Sequence, residues 1–174
     1  MVRVSAKKRM MALFGELLQD SGRSDRELGR VLGVSQPTVS RLKKLLVEKG
    51  FIRAFTVMPN FFELGYELMA LTFVKRRSRL GSAEEQQKGH ELVRKWMDEQ
   101  PNVVFSAFCR GMGVDAFMIS LHRSYSEFEQ FMLKHNKRVG YRLKDVKSVL
   151  VSLAEDQIIK GLDFKYLAEV PKKG

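Results

Sequence analysis

Residues 24–27, Ser-Asp-Arg-Glu, put a hydroxyl three positions ahead of a glutamate. At that spacing each side chain satisfies a backbone amide of the other, so a helix begins here. Gly33 then stops it, because a left-handed residue closes a helix and glycine takes that conformation without steric penalty. Ser35 offers a second cap, and Pro37 sits where the amides of a helix have no internal partner to lose. Two helix starts around a glycine turn confine residues 24–50 to a helix-turn-helix. Apolar spacing agrees. Leu28, Val31 and Leu32 face inward from the first helix; Val39, Leu42, Leu45 and Leu46 do so from the second, which Gly50 ends. Upstream, Met10, Leu13, Phe14, Leu17 and Leu18 form the stripe of a helix over 7–20, broken by Ser-Gly-Arg at 21–23.

Subtracting the buried stripe from the helix that starts at Ser35 leaves Gln36, Thr38, Ser40, Arg41, Lys43 and Lys44 on its outer side. The N-terminal part of such a helix meets base edges in a major groove. Glutamine pairs with adenine, arginine with guanine, and hydroxyls reach either base or phosphate. Lys43 and Lys44 suit phosphates. The bland reading is a solvated helix face. Charge weighs against it: residues 1–54 hold 12 of the 31 Lys/Arg and 5 of the 20 Asp/Glu, so most of the net charge of +11 lies in this third. Ser35, Gln36, Thr38, Ser40, Arg41, Lys43 and Lys44 are therefore the expected contacts to duplex DNA. The β-branched and aromatic run at 51–60 predicts a strand acting as wing or hinge. Its Arg53 either touches the DNA backbone or is an ordinary exposed strand residue.

Beyond it the pattern alternates. Strands are expected over 67–75, 103–110, 115–122 and 146–155, and helices over 83–100 and 124–139. A basic loop spans 75–82, and Gly-Met-Gly at 111–113 makes a turn. The order β-α-β-β-α-β is that of the ferredoxin-like fold. Two helices cover one face of such a sheet. The other face carries large apolar residues by alternation, so a second copy of the chain is the expected cover. The predicted fold class is α+β: a winged helix-turn-helix over 1–54, a connecting strand or hinge over 55–66, a ferredoxin-like domain over 67–157, and a C-terminal tail over 158–174.

Other function classes find little support. No apolar run is long enough to span a bilayer, and the basic start lacks the apolar core of a signal peptide, so no membrane partner is expected. The single cysteine, Cys109, suits a reducing cytoplasm. Cys109, His122 and His135 are too widely separated for a zinc spacing, and no nucleotide loop or nucleophile elbow is present. No catalytic residue, cofactor or metal is assigned.

The segments LLQDSGRSDRELGRVLGVSQPTVSRLKKLLVEKGFIRAFTV (17–57), LGYELMALTFVK (64–75) and RGMGVDAFMIS (110–120) together resemble the leucine-responsive/asparagine regulator (Lrp/AsnC) family, with an archaeal flavour in the stretched turn and the FKYL tail. The resemblance covers nearly the whole chain. It implies a transcriptional regulator that binds DNA as a dimer, often assembling to octamers through the ferredoxin-like half, known as the RAM domain. It also implies an effector pocket, often for an amino acid, beside the turn between the second and third RAM strands; Gly111, Gly113 and Asp115 stand there. The same residues serve equally as a plain hairpin. Departures are the basic residues Lys7, Lys8 and Arg9 at the first helix, the long loop at 75–90, and the stretched turn. Two rival readings remain. One is an enzyme like the siroheme decarboxylases of this architecture, using His90, His122 or His135. The other is a RAM-type sensor that does not touch DNA.

Overall fold

The computed structural model describes residues 6–77 and 82–172. They form two compact units, one running to Met58 and including the segment from Lys160, the other spanning Pro59–Ile159.

The first unit, the head, contains α1 (Ala6–Gln19), α2 (Asp25–Leu32) and α3 (Gln36–Glu48). Ser24 and Glu27 form the expected reciprocal cap of α2, and Gly33 closes it in the left-handed region at φ 63°. The Asp20–Arg23 turn is internally bonded: Gly22 N donates to Asp20 Oδ1, and the Arg23 guanidinium meets Glu16 at 2.6 Å. Met10, Leu13, Leu17, Leu28, Val39, Leu42 and Leu46 make one buried cluster. Val31, expected to face inward, is 59% exposed. The eight-residue α2 reaches the core through Leu28 and Gly29, with Leu32 packed at its edge, and Val31 lies on the solvent side. Gly29 matters for another reason. A Cβ there would stand 2.7 Å from the Val34 carbonyl oxygen, so the turn closes against α2 more tightly than a side chain permits. A 3-10 helix over Lys165–Lys172 packs on α1, burying Ala168. The tail thus belongs to the head.

No strand forms over 51–60. A β-ladder needs a partner strand, and among the described residues none pairs with this stretch. It runs as irregular chain with Phe55, Val57 and Met58 exposed, Val57 to 81%.

The second unit holds β1 (Leu68–Arg76), α4 (Ala83–Asp98), β2 (Val103–Gly111), β3 (Val114–His122), α5 (Tyr125–Val139) and β4 (Leu143–Ser152). The sheet order is β2-β3-β1-β4 with every pairing antiparallel. This is the expected ferredoxin-like arrangement. Ser82 caps α4 with a second capping box, and Ser124 caps α5 by accepting from Glu127 N. Register fixes the faces. Ala70, Thr72, Val74, Met118, Ser120 and His122 share the face toward the helices, where His122 packs on Phe128 and Phe131. Leu71, Phe73, Phe105, Phe117, Ile119 and Val149 share the other, and Phe105 is 51% exposed. Part of the expected basic loop, 78–81, lies outside the described residues.

Candidate nucleic-acid interface

α3 begins with Ser35 in extended conformation and carries Pro37 in its first turn. Ser35 occupies the capping position but does not cap through its side chain. Its hydroxyl lies 2.9 Å from the Thr38 hydroxyl, while its carbonyl accepts from the amides of Thr38 and Val39. Val39, Leu42 and Leu46 fix the inner face of the helix in the core. The outer face follows from that constraint. Gln36, Pro37, Ser40, Arg41 and Lys44 line one shallow, open depression along it. Gln36, Arg41 and Lys44 are exposed, and among the described residues neither Arg41 nor Lys44 joins an ion pair.

Ser40 and Lys43, expected to point freely outward, are held by another helix. The Ser40 hydroxyl donates to Asp25 Oδ2 at 2.5 Å, and Lys43 Nζ meets Asp25 Oδ1 at 2.6 Å. The Lys43 bond, then the Ser40 bond, holds the Asp25 carboxyl below its ordinary range despite some opposing desolvation. Asp25 therefore clamps the first turn of α2 to the middle of α3. Its sequence position, just after the cap, reads only as an acid favoured at a helix N-terminus, so this role was not visible. Arg53 is exposed on the irregular stretch after α3, with no strand beneath it.

The surface is thus a rigid helix that presents an amide, a guanidinium and an ammonium on one side, ahead of any bound partner. Donors of this kind on a packed helix suit base edges and phosphates.

In the sheet unit, β2 and β3 join through Met112 and Gly113, with Gly111 paired to Val114. Met112 (φ 48°) and Gly113 (φ 72°) both lie in the left-handed region, as a two-residue type I′ hairpin requires. Asp115 does not stand open beside this turn. Its Oδ2 accepts from Arg76 N at 2.9 Å and its Oδ1 from Lys75 Nζ at 3.3 Å, tying β3 to the end of β1. The Arg76 amide chiefly, then Lys75, keeps this carboxyl below its usual range. Among the described residues no group of three His, Cys, Asp or Glu is placed to hold a metal, and no helix is long and apolar enough to cross a membrane.

No family model matches the chain. Over 137 residues it is 31% identical to an uncharacterized HTH-type transcriptional regulator of Pyrococcus furiosus, across 79% of this chain and 83% of that protein. The HTH-type transcriptional regulator LrpA of Pyrococcus abyssi is 37% identical over 70 residues, which span 40% of this chain and half of LrpA. Among solved structures, a transcriptional regulator of Neisseria meningitidis in complex with L-Met has a TM-score of 0.73 at 16% identity, covering 93% of this chain and 96% of that one. AsnC of E. coli has a TM-score of 0.65 at 14% identity, covering 92% and 98%. The likeness to both structures is one of fold. The helix-turn-helix, the ferredoxin-like unit and these relatives agree: the chain belongs to the Lrp/AsnC family of DNA-binding transcriptional regulators.

Proposed function

We propose that the outer face of α3 reads duplex DNA, with Gln36 and Arg41 toward base edges and Lys44 toward phosphate. The observation that carries this reading is the grouping of these three side chains on one exposed helix face, with neither cation in an ion pair among the described residues. Ser35 and Thr38 contribute hydroxyls at the helix start, and Arg53 contacts backbone beyond its end. Lys43 contributes little, because Asp25 already neutralises it. Arg41→Ala tests the assignment in a binding titration against a specific operator and a scrambled duplex. The operator arm should weaken and the scrambled arm change less; equal loss in both would reassign Arg41 to phosphate.

The chain acts as a homodimer, associating further to higher oligomers, octamers among them, in the cytoplasm and without catalysis. The half-covered sheet face that includes Phe73, Phe105, Phe117 and Val149 supports the dimer, as does the exposed run Phe55–Met58, which pairs with no strand among the described residues. A C2 pair presents two copies of α3 at fixed separation, suiting a pseudo-palindromic site. An amino-acid effector is proposed at the hairpin of Gly111 and Gly113, with Asp115 at its base; the L-Met complex of the Neisseria relative supports that class of ligand. Size-exclusion chromatography with light scattering, with and without L-Met, checks both points.

A further inference from the structure

α4 stands off the sheet. Beneath it lies a cavity of about 290 Å3, walled by Val74, Val93, Met97, Met118 and Val139. At roughly 30 Å3 per water, that is room for about ten waters, too much for a packing defect. His135 lines it as well. This side chain is 3% exposed and its Nδ1 has no hydrogen-bond partner.

The cavity adjoins a second space of about 350 Å3 of opposite character, with Arg76, His90, Val93, Phe108 and Leu143 lining both. Lys75, Arg76, Arg77, Arg142 and Lys144 border this outer chamber, and Asp115, its one acid, is already bonded to Lys75. Arg76 is held in place: it lies over the Phe108 ring, and its Nη1 is 2.8 Å from His90 Nε2. Arg142 lies over Gly89 of α4, so closely that a Cβ on Gly89 would run into its guanidinium. The inner chamber has Arg94 and Asp98 at its rim.

We propose that this paired space, within one copy of the chain, binds an amphipathic organic anion: an apolar body under α4 and an acidic headgroup among Arg76, Arg142 and Lys144. Gly111 and Gly113 border neither chamber, although Asp115, at the base of the amino-acid position proposed above, also lines the outer one. An amino acid suits it poorly. Its ammonium would enter a cationic mouth whose only carboxylate is engaged.

Trp96, the single tryptophan, lies on α4 beside the lining residues Val93 and Met97 and gives an indirect optical signal, so calorimetry carries the readout. Octanoate, octyl phosphate, octanol and leucine are titrated into the full chain, followed by Trp96 fluorescence and by calorimetry. Octanoate or octyl phosphate should bind at least about tenfold more tightly than octanol and leucine, and whichever wins identifies the headgroup. Arg76→Gln, an exposed-residue change that leaves the fold intact, should reduce that binding by about tenfold, the loss of one charge-assisted bond. The proposal falls if octanol or leucine binds as well as the anions. It falls equally if calorimetry detects no binding of either anion, or if Arg76→Gln binds like the parent protein.

Discussion

In the head, Leu13, Leu28, Val39 and Leu46 are wholly withdrawn from solvent within a single cluster. In α4 of the sheet unit, no described side chain is buried, and Leu92, Val93, Trp96 and Met97 are each only half-covered. The polar content differs as well. Thr72, Ser120, His122 and His135, the buried polar residues, all belong to the sheet unit. A scaffold that must hold one helix face at a fixed aspect needs a filled core, since interiors packed this densely deform little. A unit completed by a second copy or by a ligand leaves apolar surface and space uncovered until that partner arrives. The contrast fits the proposed division of labour, with DNA reading in one unit and assembly and response in the other.

The contrast breaks most visibly through core truncations. Leu28→Ala should cost about 2–5 kcal/mol of head stability, as for a fully buried leucine. Met97→Ala in α4 should cost about 1 kcal/mol or less. Urea unfolding followed by far-UV dichroism and by Trp96 fluorescence measures both, with Trp96 reporting the sheet unit alone. Comparable losses would mean that α4 is packed as firmly as α2.

Next in size is Arg41→Ala, expected to weaken specific DNA binding by about 1–3 kcal/mol while leaving Trp96 unfolding unchanged. Asp25→Asn should lower head stability by about 1–2 kcal/mol at neutral pH through lost charge-assisted bonds to Lys43 and Ser40. The Asp25 carboxyl is depressed in the folded state, so its contribution is present above its ordinary range and disappears as pH falls through the folded value. Parent and Asp25→Asn proteins should thus converge in strong acid.

Mild acid should separate the units. Burial holds His122 and His135 below the ordinary histidine value of 6.5. As pH falls below 6.5 the unfolded chain takes up these protons first, and stability present above that value is lost. All three histidines lie in the sheet unit, so its unfolding midpoint should drop over this range while that of the head holds. The smallest expected effect is Lys43→Ala on DNA affinity, well below that of Arg41→Ala.

Local chemistry made much of this legible. The capping box at Ser24 and Glu27 and the left-handed Gly33 depend only on neighbours within a few residues, and both stand where the spacing puts them. What was not legible is tertiary. The run at 51–60 carries strand-forming residues, but strands are made by partners, and periodicity says nothing of whether one is near. Subtracting the buried stripe left Ser40 and Lys43 among the free residues because their common partner, Asp25, belongs to a different helix. Val31 fits a helical stripe that α2 is too short to bury. Gly29 looks like an ordinary helix interruption until the Val34 carbonyl is found against it. The bonds of Asp115 to Lys75 and to the Arg76 amide at the end of β1 were likewise not legible from its place beside the glycine turn.

The most direct test of DNA reading by α3 is the salt dependence of affinity for one duplex, compared between the parent chain and Arg41→Ala/Lys44→Ala. Each lost phosphate contact lowers the log–log slope by about 0.9, and each lost base contact lowers affinity without changing the slope. The account predicts affinity reduced by at least about tenfold, with a slope shallower by about one for Lys44. Unchanged affinity and slope, in a protein whose Trp96 unfolding matches the parent, would contradict it.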